Sequence, residues 1–445
     1  MELDLERKRI YRKVKLSIIP FAFLLYFFNG MDRANVSFAA LTMNKELDIT
    51  ALAYGTVSSA FFISYLLFQV PSNMILKKIG ARKVIPTLAF LWGIITACTF
   101  FAHNATQVAV FRFLLGVVEA GFFPGMMYWF TLWFPNRERA QVTSIFMLSG
   151  TCANIIGAPL AGFIVQYTHW LGFSGWRWLF VLEGLPPALI ALFGYVIMKD
   201  GPELAKWLTD KEKAIIRSDL DAERVVYDGK AEKIGFTRII TDRMLWKMAM
   251  IYMFVQMATQ AAALWLPVLV KGFAAGLSAS VIGYIMMIPG ITGAITIVLV
   301  GNHSDKTGER KWHAIIPMLI LSASFLLIMV PVGGLPFKIL MLAVYGATAG
   351  SWYGPYWTMP TAFLSTDIMA VSMAFINSCS AAGGFIGNQL SGIVDARFGD
   401  SGVFVLMASV VLVSVVLILT LDFKKVSAKS INSKAQPEQE LSADA

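Results

Sequence analysis

The chain has 445 residues, 57% of them hydrophobic, and a mean hydropathy of +0.65, well above the roughly 45–50% apolar content of a soluble domain. Its 37 Lys+Arg against 28 Asp+Glu would suit a nucleic-acid partner, but their placement follows membrane topology instead, so none is expected. Cys98, Cys152 and Cys379 each stand alone in an apolar run, the four histidines lack metal-ligand spacing, and no Walker A, GxSxG or strand-borne GxGxxG occurs; neither an enzyme, an ATP-driven pump, a metal site nor any cofactor is indicated.

Residues 1–15 are charged and carry six Lys/Arg. The apolar run from Leu16 to Ala40 is too long for a signal-peptide core and has no small-residue cleavage site, so it reads as a first span. Further runs lie near 53–76, 84–103, 107–134, 140–166, 178–198, 244–270, 280–300, 312–331, 337–360, 369–393 and 402–422. A span needs about 20 apolar residues. The pattern therefore predicts an all-α integral membrane protein of twelve transmembrane helices. Its boundaries are a cytoplasmic N-terminus (1–15), six-helix bundles at 16–198 and 244–423, a central cytoplasmic loop (199–243) and a disordered cytoplasmic tail (424–445). The central loop mixes acids and bases and reads as a short amphipathic surface helix plus linker.

Basic residues fix the orientation. With the N-terminus inside, 30 Lys/Arg fall on the cytoplasmic side and five (Lys45, Arg177, Lys271, Lys338, Arg397) outside, while Arg33 and Arg112 lie within spans. That bias places both termini in the cytoplasm of a multi-pass plasma-membrane protein. The two halves also repeat: Asn73–Lys83 after the second span aligns with Gly301–Lys311 after the eighth, sharing Lys78/Lys306, Gly80/Gly308, Arg82/Arg310 and Lys83/Lys311. Such parallel repeats predict two pseudo-symmetric six-helix halves.

Two stretches break the apolar pattern. Val108 to Phe134 is long enough to span, yet holds Arg112 and Glu119, and a charge near a span centre costs roughly 2.5–3.5 kcal/mol on translocon scales. Seven residues apart, they share one helical face about 10 Å apart along the axis. Gly116, Gly121 and Gly125 add small surfaces that admit another backbone. The first span holds Asn29-Gly-Met-Asp32-Arg33-Ala-Asn35. Adjacent residues point about 100° apart, so Arg33, sharing a face with Asn29, is expected to face a cavity and Asp32 to turn toward the fourth span and Arg112. Structural ion pairs locking helices are the alternative. With all four groups ionised the cluster is neutral, and protonating one carboxylate leaves one positive charge, suited to a single carboxylate anion.

The segment GNHSDKTGERK resembles the loop signature of the major facilitator superfamily, G-x-x-x-D-[RK]-x-G-x-[RK]-[RK], met by Gly301, Asp305, Lys306, Gly308, Arg310 and Lys311. The first copy departs from it, with Asn73 for the glycine and Lys77 for the aspartate. Asp32-Arg33-x-Asn35, Arg112-x6-Glu119-Ala-Gly, PSN (71–73), GWRWLFVLEGLP (175–186), AKWLTDKEK (205–213), YWTMP (356–360) and INS (376–378) resemble the anion:cation symporters within it. The likeness is greatest to the branch carrying tartrate, rhamnonate, phthalate and hydroxyphenylacetate. It implies a monomeric, proton-coupled carrier of a small organic acid anion in a bacterial inner membrane. Asp32, Glu119 and Arg112 would couple protons, Arg33 and Asn29 bind substrate, and the Gly301–Lys311 residues gate the cytoplasmic side.

Other polar residues are candidates with rival readings. Tyr65 and Gln69, one turn apart, either bond substrate hydroxyls or tie helices together. Gln260, Trp265, Tyr356 and Trp357 precede prolines, where helices are often broken near a site, though aromatics there also pack cores. Asn377 is a candidate polar contact to substrate, whereas Glu183 reads as structural. Gly346, Gly350 and Gly354 form a close-packing ridge. The expected substrate is a sugar or hydroxy acid, with an aromatic acid as runner-up. A channel lacks its polar rings here, and a transporter-derived receptor usually adds a large cytoplasmic domain.

Overall fold

The computed structural model describes residues 2–228, 241–274, 276–363 and 369–421, and these are helical almost throughout. The expected 424–445 tail and most of the linker after Asp228 lie outside the described residues. In chain order the longer helices are α1 (Glu2–Glu46), α2 (Ala51–Ile79), α3 (Ala81–Cys98), α4 (Ala105–Glu119), α5 (Phe122–Thr131), α6 (Asn136–Tyr167), α7 (Gly175–Ile197), α8 (Asp210–Asp228), α9 (Arg243–Phe273), α10 (Ala279–Thr307), α11 (Lys311–Ile328), α12 (Gly334–Ala349), α13 (Tyr353–Phe363) and α14 (Met369–Leu419).

Helix ends follow from local chemistry. Asn104 caps α4 by accepting from the Gln107 amide (2.9 Å), and Gln107 Oε1 accepts in return from the His103 amide (2.7 Å), so two otherwise orphaned donors are satisfied. Asp242 caps α9 through the amides of Met244 and Leu245. The run 107–134 divides at Ala120–Gly121 because Pro124 has no amide to give the Ala120 carbonyl and its ring crowds that group. At that break Gly121 lies against Ser72 of α2, where a Cβ would come within 2.8 Å of the Ser72 Cβ.

Ten stretches among the described residues are long and apolar enough to cross a membrane. The runs 369–393 and 402–422 both fall on α14, whose backbone breaks at Gly399 (φ 67°). The run 337–360 is shared between α12 and α13, each shorter than a full span. The glycine ridge there packs on α10, since a Cβ on Gly346 would strike Pro289 and one on Gly350 would strike Ile297, while Gly354 faces open space.

Helix α1 packs on α6 and α7, α3 on α7, and α2 on α4; farther along, α14 packs on α9 and α11, and α12 on α10 and α11. These groups are joined chiefly by α2 with α14, α6 with α10 and α1 with α9. They are tightest toward the end holding loops 47–50, 168–174 and 276–278. A Cβ on Gly55 would lie 2.9 Å from the Gly392 Cα, and one on Gly283 would lie 2.5 Å from the Ala158 carbonyl. Tyr54 donates to the Leu264 carbonyl (2.7 Å), Ser59 to Gln389 (3.0 Å) and the Ala279 amide to Gln166 (3.2 Å). At the other end of α2 and α10, Leu67, Met74, Ile295 and Leu299 are exposed. The bundle is closed at the first end and splayed at the second.

This closure needs glycine at 283, because backbone cannot yield as a flexible side chain does. Gly283→Leu is expected to hold α6 and α10 apart. A cysteine replacing Ser280, which is 7% exposed, should then react with a soluble maleimide roughly tenfold faster than in the Gly283 parent lacking its three native thiols.

The expected amphipathic helix is α8, docked under the splayed end rather than standing free. Asp219 pairs with Arg7 (3.0 Å) and Arg137 (2.7 Å) and accepts from the Tyr11 hydroxyl (2.9 Å). Lys13 pairs with Glu212 (2.8 Å), and Trp207 stacks on Trp133 with ring centroids 5.9 Å apart. The Lys13 bond, helped by Thr209, holds the Glu212 carboxyl below the usual carboxylate range despite slight burial. Its contribution is present at neutral pH and is lost only as pH falls through that lowered value.

Candidate functional site

Between the two groups of helices lies a cavity of about 360 Å³ whose walls include Asn29, Arg33, Phe61, Arg112, Asn154 and Gln260. Its size is at the small end of ligand pockets. Small residues bring the walls together. Gly116 lets α4 approach the Phe61 carbonyl and Ser64 of α2, and Gly30 seats α1 against Ala153 of α6.

Arg33 turns into this cavity, its side chain 37% exposed, and its Nε donates to Glu119 Oε2 at 2.9 Å. Glu119 is fully buried and its Oε1 has no protein partner among the described residues. The Arg33 guanidinium also lies 5.4 Å from the Phe61 ring and 5.1 Å from that of Tyr65, and the Arg112 guanidinium lies 5.0 Å from the Phe61 ring. Such stacking suits a planar, weakly hydrated cation. Arg112 is 3% exposed, its Nε has no partner among the described residues, and its Nη1 lies 3.4 Å from the main-chain carbonyl of Asp32.

Asp32 does not reach Arg112 with its carboxylate. It accepts from Thr96 Oγ1 (2.8 and 2.7 Å) and from Asn35 Nδ2 (2.7 Å). Asp32 and Asn35, three apart, share the face of α1 that looks toward α3, so a hydroxyl on α3 takes the contact expected for helix 4. Asn29 is buried in the cavity wall, and neither of its side-chain polar atoms has a partner among the described residues.

The remaining candidates scatter. Gln260 is on the cavity wall. Tyr65 lies behind it as part of the aromatic floor under Arg33, and the Gln69 carbonyl holds Asn73 (2.7 Å). Trp357 packs in an aromatic group with Tyr252 (centroids 5.1 Å), and Tyr356 donates to the Met248 carbonyl. Asn377 is exposed. None of Tyr65, Gln69, Trp357 and Asn377 lines the cavity in this conformation. Sequence reading missed Tyr26, Phe62, Thr151 and Asn154 as wall residues. Asn154 was open to detection as the lone amide in the apolar stretch between Gly150 and Gly157.

The loop after α10 forms a closed unit. Gly308 ends the helix at φ 68°, where a side chain would be strained. Asp305 pairs with Arg310 (2.6 Å), and Arg310 also reaches Ser304 (3.0 Å). Lys311 donates to the Leu419 carbonyl (3.4 Å), a Cβ on Gly301 would meet nothing, and Lys306 is exposed. Glu309 caps α11; partial burial pushes its carboxyl up, but the amides of Trp312 and His313 and the His313 ring hold it below the usual carboxylate range. In the first copy, where Lys77 stands for the acid, Asp200 beyond α7 accepts from the Arg82 amide (2.8 Å) beside Gly80. The missing carboxylate is supplied from elsewhere in the chain.

This geometry has relatives. The family model for the Major Facilitator Superfamily matches residues 22–388. A protein of Agrobacterium vitis named a putative tartrate transporter is 35% identical, over 97% of this chain and 94% of its own. The inner membrane transport protein RhmT of Escherichia coli K12 is 31% identical, over 95% and 97%. Among solved structures, a bacterial homolog of the human lysosomal transporter Spinster, inward-facing and occupied, superposes with a TM-score of 0.74 at 16% identity, covering 90% of this chain and 95% of that one. With its helical fold, its loop signature and a family match across most of its length, the chain belongs to the Major Facilitator Superfamily and is a membrane transporter rather than an enzyme.

Proposed function

We propose that the protein is a proton-coupled symporter that imports a small organic carboxylate, a sugar acid or hydroxy acid, by alternating access. In this reading α14 holds two crossings and α12–α13 one, giving twelve in two halves, 16–198 and 244–423. Both termini are cytoplasmic in a bacterial inner membrane, and the protein works as a monomer. The basic loops then lie on the splayed side, so the conformation is inward-open. The names of the tartrate and RhmT relatives support the substrate class and the membrane.

One observation carries the coupling: Arg33 faces the cavity while its Nε is held by buried Glu119 at 2.9 Å. A substrate carboxylate and Glu119 compete for one guanidinium. Protonating Glu119 weakens its hold and leaves the fork to the substrate, which an Arg grips bidentately. Proton and anion therefore favour each other's binding, and the effect is mutual. Arg112 adds a second fixed cation at the wall, and Asn29, Asn154 and Gln260 suit the hydroxyls of a sugar acid. Uptake of a panel of labelled acids into proteoliposomes, with and without a pH gradient, tests this. Failure of every carboxylate to accumulate under an inward proton gradient would sink it. An aromatic acid is the second reading, favoured by Tyr26, Phe61 and Phe62 on the same wall.

The loop after α10 gates the cytoplasmic side in this proposal. Asp305→Asn removes the charge that holds Arg310 and is expected to slow turnover several-fold while leaving substrate affinity within about twofold. Wild-type turnover in side-by-side uptake would make the loop a relic of ancestry.

A further inference from the structure

Next to the main cavity, and sharing Ala34, Asn154 and Ala263 with it, is a second one of about 220 Å³. It lies between the two groups of helices on the closed side, walled by Met31 and Asn35 of α1, Asn154 of α6, Pro267 of α9, Met286 of α10 and Tyr345 of α12. Glu183 of α7 projects into this wall. It is 2% exposed, and its Oε2 has no partner among the described residues.

Among the described residues no Lys, Arg or His lines this cavity. Asp32 is the charged group acting on Glu183, and it has the same sign. Asp32 and Asn35 of α1 act on Glu183, Thr96 of α3 lies against the adjoining Gly184, and Asn154 of α6 and Tyr345 of α12 share its cavity wall. Arg33 is held by Glu119 on the far side of α1, Arg112 lies behind Asp32, and Arg177 on the same helix is engaged with Glu46 (3.3 Å). An ionised carboxylate without a cation is expensive in such a place, whereas the acid form is not. Beside the cavity, Gly162 lies against the Ala279 carbonyl and Gly283 against that of Ala158; parting these contacts would admit water, which stabilises the charge.

We infer that Glu183 is a second proton-binding site, separate from the Arg33–Glu119 pair, whose protonation permits the outer end to close. The inference rests on the alternating-access reading but needs no substrate to be tested. A proton taken up from outside neutralises Glu183, the outer helices seal over it, and the carrier turns inward. Deprotonation restores the charge and favours the water-filled, outward-open form. Asn154, common to both cavities, lies where the proton would pass toward the main site.

The test is a distance measurement across the outer end. Spin labels replace Leu171 and Val332, both well exposed in loops of the two helix groups, in a parent lacking Cys98, Cys152 and Cys379. In the substrate-free parent, a short distance should dominate at acid pH and a longer one should grow as pH rises. Glu183→Gln should stay short across the range, while Glu183→Asp and Glu119→Gln should still respond. If Glu183→Gln opens with pH as the parent does, the inference falls and the transport reading stands. A parent that shows no pH-dependent opening overturns the inference as well, and one with no long distance under any condition, substrate included, overturns alternating access too. Should Glu183→Gln not yield monodisperse protein, Glu183→Asp decides: a midpoint moved by about half a pH unit or more supports the site, and an unmoved midpoint overturns it.

Discussion

Arg33→Lys is expected to weaken substrate binding roughly ten- to hundredfold while leaving a folded, monodisperse protein. Arg33 has two tasks that only a fork can combine, holding Glu119 through Nε and presenting its remaining N–H groups to the cavity. A lysine is a compact point charge. Paired with Glu119 it keeps the buried carboxylate compensated, so the bundle survives, but it has no second planar edge for a substrate. A hydrogen bond to a charged group is worth about 1.5–3 kcal/mol, which sets the expected range. The loss of stacking on Phe61 and Tyr65, 5.4 and 5.1 Å away, acts in the same direction. Equilibrium binding of a labelled carboxylate in detergent checks it. Near-normal affinity would pass the anchoring role to Arg112, whose buried Nε has no partner among the described residues.

The residues of this site were legible because charge in an apolar span is rare, and Arg33, Arg112 and Glu119 stand out on that ground alone. Their pairing was not. Asp32 and Arg33 point about 100° apart, and which of them meets α4 depends on what α3 offers. Thr96, an ordinary hydroxyl in an apolar run, takes both Asp32 oxygens, and no pattern in the sequence marks it. The wall residues of α2 and α6 were hidden for a related reason, since aromatic and small side chains serve packing and cavity alike. Trp357 was singled out by a nearby proline, but proline bends a helix without saying which face the bend exposes, and the ring packs on Tyr252. Span boundaries were read from hydropathy, which does not see that Gly399 breaks one long helix or that Gly350 divides another run. The substitute acid Asp200 is 118 residues from Arg82, beyond the reach of a local motif.

Glu119→Gln is expected to exchange substrate across the membrane without concentrating it. The amide imitates the protonated acid permanently, so Arg33 loses its ionic hold and remains available to the substrate at every pH. Counterflow, which needs only binding and reorientation, should persist at a rate comparable to the parent. Accumulation driven by an inward proton gradient should vanish, because the variant has no proton to take up and release at this point and the substrate then merely equilibrates. Affinity should also lose its pH dependence, since the competition between carboxylates has been removed. Glu119 is fully enclosed and, among the described residues, its side chain bonds only to Arg33, so a near-isosteric amide is expected to leave the packing of α4 unchanged. The comparison is made in one liposome preparation, counterflow against pH-driven uptake. Continued accumulation by Glu119→Gln would move the coupling proton to the second site at Glu183 or to Asp32. The Asp32 carboxylate already accepts from Thr96 and Asn35, and whichever of Glu183→Gln and Asp32→Asn uncouples would then identify the site.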